Sequence, residues 1–209
     1  MQRRPLLLAP ALWAVGFSAF SEPPAPSLAD QARRGGVLLV RHASTEPGLG
    51  DPPGFTLGQC STQRNLSEAG RAQARAMGGW FRPPPPPGPT LLHTPAARPP
   101  DWFRHHRLPV QTILSSQWCR CQETARLAFD HQEDWPALNS TFAGQGQQTQ
   151  QLRLLRERLL RLPAGTLEVW ITHQVIMTGL TGAYPAMAEG FLVDTQGALL
   201  TRGMLTSGA

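Results

Sequence analysis

The chain contains no lysine; all 19 of its basic residues are arginine. An all-arginine set of this kind reflects base composition more than a built cationic patch. The formal net charge is only +5, with aromatic residues at 7% and no interleaving of aromatic and basic side chains. That excludes a dedicated nucleic-acid binder, which needs a basic stripe with stacking platforms. The chain also lacks an apolar run long enough to span a bilayer. Residues 6–20 give about 15 apolar positions, against roughly 20 for a spanning helix. They follow Met1-Gln2-Arg3-Arg4-Pro5 and precede Ala19-Phe20-Ser21 and then Glu22-Pro23-Pro24, the layout of a signal peptide over residues 1–21. Export to the periplasm or medium is the expectation, with no stable membrane span after cleavage and a net charge lowered by two, to +3, through loss of Arg3 and Arg4.

Cysteine is scarce. Three residues are too few for a disulfide-built scaffold and lack the second ligand pair of a zinc site, so no metal is expected. Cys119-x-Cys121 is too close for an easy bridge. In an oxidising compartment Cys60 has Cys119 or Cys121 as candidate partners, and either bond would clamp an early loop to the start of a later helix. The roughly 190 residues left after cleavage suit one domain with a sizeable core.

What is present is a set of short apolar strands that end on charged residues. Val37-Leu38-Leu39-Val40 delivers Arg41-His42 into a loop rich in Gly and Pro over residues 44–63. In open α/β sheets, ligands bind beyond the carboxyl ends of strands. There a guanidinium holds phosphate oxygens while a neutral imidazole attacks phosphorus. Thr112-Ile113-Leu114-Ser115-Ser116 reads as a second strand, followed by a serine-capped helix that places Arg120 near its N-terminus, where backbone N–H groups favour an anion. Leu167-Glu168-Val169-Trp170-Ile171-Thr172 is a further strand and ends on His173, before a helical stretch over residues 175–180. A helix is expected from about Ser67 to Phe81 with Ser67 as its cap. Another carries Leu152, Leu155, Leu159 and Leu162 on one face, with its arginines solvated. A closing hairpin is expected around Thr195-Gln196-Gly197.

These pieces together resemble the histidine phosphatase superfamily, branch 1, of the exported bacterial type. The motifs are Arg41-His42 after the first strand, Ser115-Ser116-x-x-x-Arg120-x-x-x-Thr124-Ala125, a later Thr172-His173, and Leu66-Ser67-x-x-Gly70-x-x-Gln73-Ala74 at a helix start. The likeness covers about residues 36–205. It implies an α/β fold: the three-layer α/β/α phosphoglycerate mutase-like arrangement, with a mostly parallel sheet and helices on both faces. It also implies phosphomonoester hydrolysis through a phosphohistidine on His42, with Arg41, Arg120 and His173 holding the transferred group. Arg64 and Glu123 are further candidate substrate contacts. No cofactor is implied, and the substrate is a phosphorylated small molecule or phosphoprotein. The alternative is a phosphate-binding module of the same fold with little or no turnover.

Two features depart from the family pattern. The proton donor for the leaving group is unassigned: Glu123 stands where Gln is usual, Asn139 where many relatives carry Glu, and Glu46, Asp51, Asp130, Glu133 and Asp134 remain candidates. A stretch at about 82–102, framed by repeats of Trp-Phe-Arg and opening on five prolines, reads as an extended insertion. Residues 22–35 read as a mobile Pro/Ala spacer.

Overall fold

The structure is a computed structural model that describes residues 26–78, 108, 110–129 and 131–206. The signal-peptide region, the Pro-rich insertion and residues 22–25 of the expected spacer lie outside those residues.

The core is a six-stranded sheet in the order β3-β2-β4-β1-β5-β6. Strands β1 (Gly36–Arg41), β2 (Val110–Ser115), β3 (Glu133–Asp134) and β4 (Leu167–Thr172) are parallel, and β5 (Glu189–Val193) and β6 (Leu199–Met204) close one side as an antiparallel pair. Alternation along β1 assigns the two faces, because successive side chains in a strand point to opposite sides. Leu38 and Val40 enter one core cluster with residues of α1 (Leu28–Ala32), α2 (Glu68–Met77) and α3 (Cys119–Phe129). Val37 and Leu39 enter the other, with Leu155 and Leu159 of α4 (Gln148–Leu160) and Ile176 and Met177 of α5 (Gln174–Thr181). The expected three layers are thus present, with helices on both faces of a mostly parallel sheet. No helix among the described residues is long and apolar enough to cross a membrane.

Three local readings change. From residue 26 onward the expected spacer is structured: Ser27 caps α1 by accepting from the Asp30 N–H, and Leu28, Ala29 and Ala32 are buried in the same core as β1. Three small or apolar residues on one helical face are enough to dock a single turn, a signal that the Pro/Ala composition obscures. Residues 133–134, read as irregular, add a short edge strand to β2. Arg158, expected in solvent, reaches across to Glu168 of β4 at 2.8 Å.

Helix α2 has the expected cap, with the Ser67 hydroxyl accepting from the Gly70 N–H. Its first turn lies against the chain just after His42: the Ser67 N–H bonds the Ser44 carbonyl at 3.1 Å, and a Cβ on Gly70 would fall 1.8 Å from that carbonyl oxygen. Only glycine permits this approach. Gly70→Ala should destabilise the fold by about 3 kcal/mol, the upper part of the usual overpacking range. At roughly 2–4 °C per kcal/mol for a chain of this size, a thermal melt should show a fall of about 6–12 °C. An unchanged Tm would mean that α2 shifts without cost.

Candidate active site

Strands β2, β4 and β1 are adjacent and parallel, so their carboxyl ends open on one crevice. The ladder continues one residue past each end: the His42 N–H bonds the Thr172 carbonyl at 3.1 Å, and the Ser116 N–H bonds the Ile171 carbonyl at 2.9 Å. Arg41-His42, Ser116 and His173 are therefore fixed by backbone pairing before any side chain contributes. The result is a pocket of about 90 Å³ whose lining includes Arg41, His42, Arg64, Arg120 and His173. Five of the six sequence candidates meet there. Glu123 does not: its carboxylate pairs with the Arg71 guanidinium at 2.7 Å, tying α3 to α2. The sequence reading placed it near the site by its distance from Arg120, but it faces the other helix.

The histidines are buried and their tautomers follow from their partners. His42 Nδ1 lies 2.8 Å from the Ala43 carbonyl, which can only accept, so Nδ1 carries the proton and Nε2 the lone pair. His173 Nε2 is 2.8 Å from Ser116 Oγ, and its Nδ1 is 3.5 Å from a nitrogen of Arg120, which can only donate. Nε2–H therefore donates to Ser116, whose hydroxyl is 3.2 Å from Asn139 Oδ1. Asn139 thus secures the support of His173 in the slot where a proton donor was sought. The two imidazoles meet edge to face at 5.3 Å. Burial, then the Arg120 charge, pushes the His42 pKa down to about 3, and the same two causes hold His173 well below its ordinary value. Both rings are neutral near pH 7.

This has a measurable effect on stability. Between the ordinary histidine value of 6.5 and about 3, the unfolded chain binds a proton at His42 that the folded chain does not. Stability should be flat with respect to this group above pH 6.5 and should fall on acidification by up to about 1.4 kcal/mol per pH unit. Urea melts at pH 7.5 and 5 should show the loss, and His42→Gln should make the slope shallower. Equal slopes in the two proteins would assign acid sensitivity to other groups.

Three guanidiniums share the pocket, and they need an anion. Burial first, and neighbouring arginines second, lower the pKa of Arg41 and Arg64. The Nε atoms of Arg41, Arg64 and Arg120 are buried without a hydrogen-bond partner among the described residues, an arrangement that costs free energy until an acceptor arrives. Arg41 otherwise donates to the Pro185 carbonyl, and Arg64 to the Gly48 carbonyl.

Asp51 is the pocket's one lining carboxylate among the described residues. It holds the Arg120 fork side by side at 2.7 and 3.1 Å, and it also accepts from the Arg64 backbone N–H and from Trp118 Nε1, each at 3.0 Å. Burial alone would raise its pKa, but Arg120, then the backbone and Trp118, outweigh that and lower it. With two donors on each oxygen there is no position left for a proton. Of the other carboxylates considered, Asp134 accepts from Gln122 at the exposed edge of the sheet, and Glu46 and Glu133 do not line the pocket. Asp130 lies outside the described residues.

The loop carrying Asp51 is closed at its base by a bridge between Thr45 and Leu66, and it is locked to α3 by a disulfide between Cys60 and Cys119. Of the two candidate partners for Cys60, Cys119 is the one used. Cys121 is a buried free thiol whose pKa burial raises to about 12. Closing a loop across 59 residues stabilises the fold by about 4 kcal/mol in the chain-entropy description. Gln63 adds a hydrogen bond to the Cys119 N–H at 3.0 Å, and Phe55 packs on Trp118. Trp118 and Gln63 carried no signal in the sequence, since the contact by which each reaches the site, Trp118 to Asp51 and Gln63 to Cys119, spans more than 50 positions.

The site is thus an anion pocket with a neutral imidazole presented beside arginines. No protein-family model matches the chain, and no curated protein matches it. Solved structures to which it is similar include the protein histidine phosphatase SixA in complex with tungstate, at 14% identity, covering 81% of this chain and 96% of that one, with a TM-score of 0.48. A putative alpha-ribazole-5'-P phosphatase from Escherichia coli is similar at 18% identity over 83% and 97% of the two chains, TM-score 0.47. A phosphoglycerate mutase from Thermus thermophilus is similar at 20% identity over 79% and 96%, TM-score 0.46.

Proposed function

We propose that the protein is a metal-independent phosphomonoesterase in which His42 is the nucleophile. The observation that carries this reading is the His42 tautomer: Nδ1 is committed to the Ala43 carbonyl, which leaves the Nε2 lone pair available in a pocket lined by three arginines. Nε2 attacks phosphorus, the N–P bond forms, and the P–O bond to the leaving group breaks. Water then attacks phosphorus, the N–P bond breaks, and inorganic phosphate departs. Arg41, Arg64 and Arg120 supply hydrogen bonds and charge to the equatorial oxygens, where stabilisation matters most, and neutral His173, with both ring nitrogens engaged, walls the pocket beside them. Arginine does here what a bound cation does in other phosphatases.

Hydrolysis of p-nitrophenyl phosphate by the purified protein in excess chelator tests this. Chelator-resistant turnover with an acid-labile phosphoprotein intermediate is expected. Absence of turnover from pH 4 to 8 in folded protein that still binds inorganic phosphate would favour the second reading, a phosphate-binding module, which the lack of a free acid among the described pocket residues supports.

We further place the protein in the periplasm or the medium. The signal-peptide layout of residues 1–21 supports this, as does the Cys60–Cys119 disulfide, a bond that persists in oxidising compartments.

A further inference from the structure

We infer that the pocket is built for aryl phosphomonoesters with an uncharged ring, an inference that rests on the phosphatase reading above. Three observations converge on this. The first is charge: Arg41, Arg64 and Arg120 supply three positive charges, and Asp51, paired with Arg120, removes one. The net of two balances the dianion of a single phosphoryl group and leaves no surplus for a second anionic group on the substrate.

The second is the remainder of the lining. Beyond the arginines, Asp51 and the two histidines, it is formed by Leu49, Gly50, Phe142 and Val175, with the uncharged Gln174 and Ser140. Leu49 is 86% exposed and Phe142 38% exposed, large apolar side chains in open solvent beside a highly charged floor. The Phe142 ring lies against Gly50, where an added Cβ would sit 3.2 Å from a ring carbon, so Phe142 and the Asp51 loop form one wall. No cation among the described residues joins these apolar ones to receive a carboxylate or a second phosphate.

The third is the state of the acid. The pocket's one carboxylate among the described residues has both oxygens saturated by donors and is held ionised. General acid help to a leaving group normally contributes a factor of about 10²–10⁴. A site without it favours leaving groups that depart as stable anions, which phenols do and alkanols do not. Apolar walls, a charge balance for one phosphoryl group and the lack of a free acid among the described lining residues select the same ester.

The test compares phenyl, 4-carboxyphenyl and benzyl phosphates as substrates, with phenylphosphonate and 4-carboxyphenylphosphonate as non-hydrolysable competitors. Phenyl phosphate should exceed the carboxylated ester about tenfold or more in kcat/KM, although the para-carboxylate makes the better leaving group. The two phosphonates should differ in Ki in the same direction. Benzyl phosphate keeps the ring but loses the phenolic oxygen and should fall at least 100-fold in kcat, in line with the missing acid. Leu49→Ala combined with Phe142→Ala should raise KM for phenyl phosphate about fivefold and leave the Ki of inorganic phosphate within twofold.

Equal handling of the carboxylated and plain esters, or benzyl turnover within tenfold of phenyl, would overturn the inference. If no ester is hydrolysed but phenylphosphonate still binds better than its carboxylated partner, the hydrolytic reading fails while the selectivity of the pocket stands. If neither phosphonate binds, both fall.

Discussion

Replacing His42 with alanine should lower kcat for p-nitrophenyl phosphate by about 10⁴-fold or more and leave phosphate binding nearly intact. The size follows from the role. A donor that merely stabilises developing charge typically contributes a factor of about 10²–10³, but in the proposed mechanism His42 makes the bond that defines the covalent route. The arginines do not depend on it: Arg41 is held by the Pro185 carbonyl and Arg120 by Asp51, so the Ki of inorganic phosphate should change only a few-fold. The variant should also trap no acid-labile phosphoprotein. Turnover within tenfold of the wild type would remove His42 from the chemistry and return attention to His173, the other buried imidazole.

Arg120→Ala should damage the protein twice. Turnover should fall about 10²–10³-fold, equivalent to about 2.7–4 kcal/mol of lost transition-state stabilisation. Stability should fall by a further 3–5 kcal/mol, because Asp51 is left buried and ionised with its charge partner gone. The two effects separate in a double variant. Adding Asp51→Asn removes the stranded charge and should restore most of the stability, leaving turnover low. A double-mutant cycle on urea stability then reads the coupling of the pair directly. Additive single effects would mean that Asp51 and Arg120 are solvated independently, contrary to side-chain exposures of 2% and 4%.

What was legible in the sequence is what lies on the sheet. Arg41-His42, Arg120 and His173 could be found because each follows a strand run, and adjacent parallel strands bring their ends together without help from distant residues. The cap at Ser67 and the extent of β4 are local features of the same kind. The support was not legible. Asp51 was one of several carboxylates with equal claim, and only the folded loop shows it on the Arg120 fork. Glu123 looked better by proximity along the chain, but helical geometry turns it toward Arg71. Trp118, Gln63 and Phe142 act across gaps that no periodicity encodes. The α1 turn was hidden because Pro and Ala beside a leader-like segment read as linker, while three small side chains suffice to dock it.

The bridge between Thr45 and Leu66 makes the loop it closes a replaceable part. The loop's base is fixed next to the sheet, so residues 46–65 can change in length or composition while His42 and His173 stay in register on their own strands. A new loop would need an acid for Arg120, a cation in place of Arg64, and either a cysteine for Cys119 or none at both positions. Remodelling this single surface segment would therefore change the wall of the pocket while the strand-borne residues beneath it keep their places.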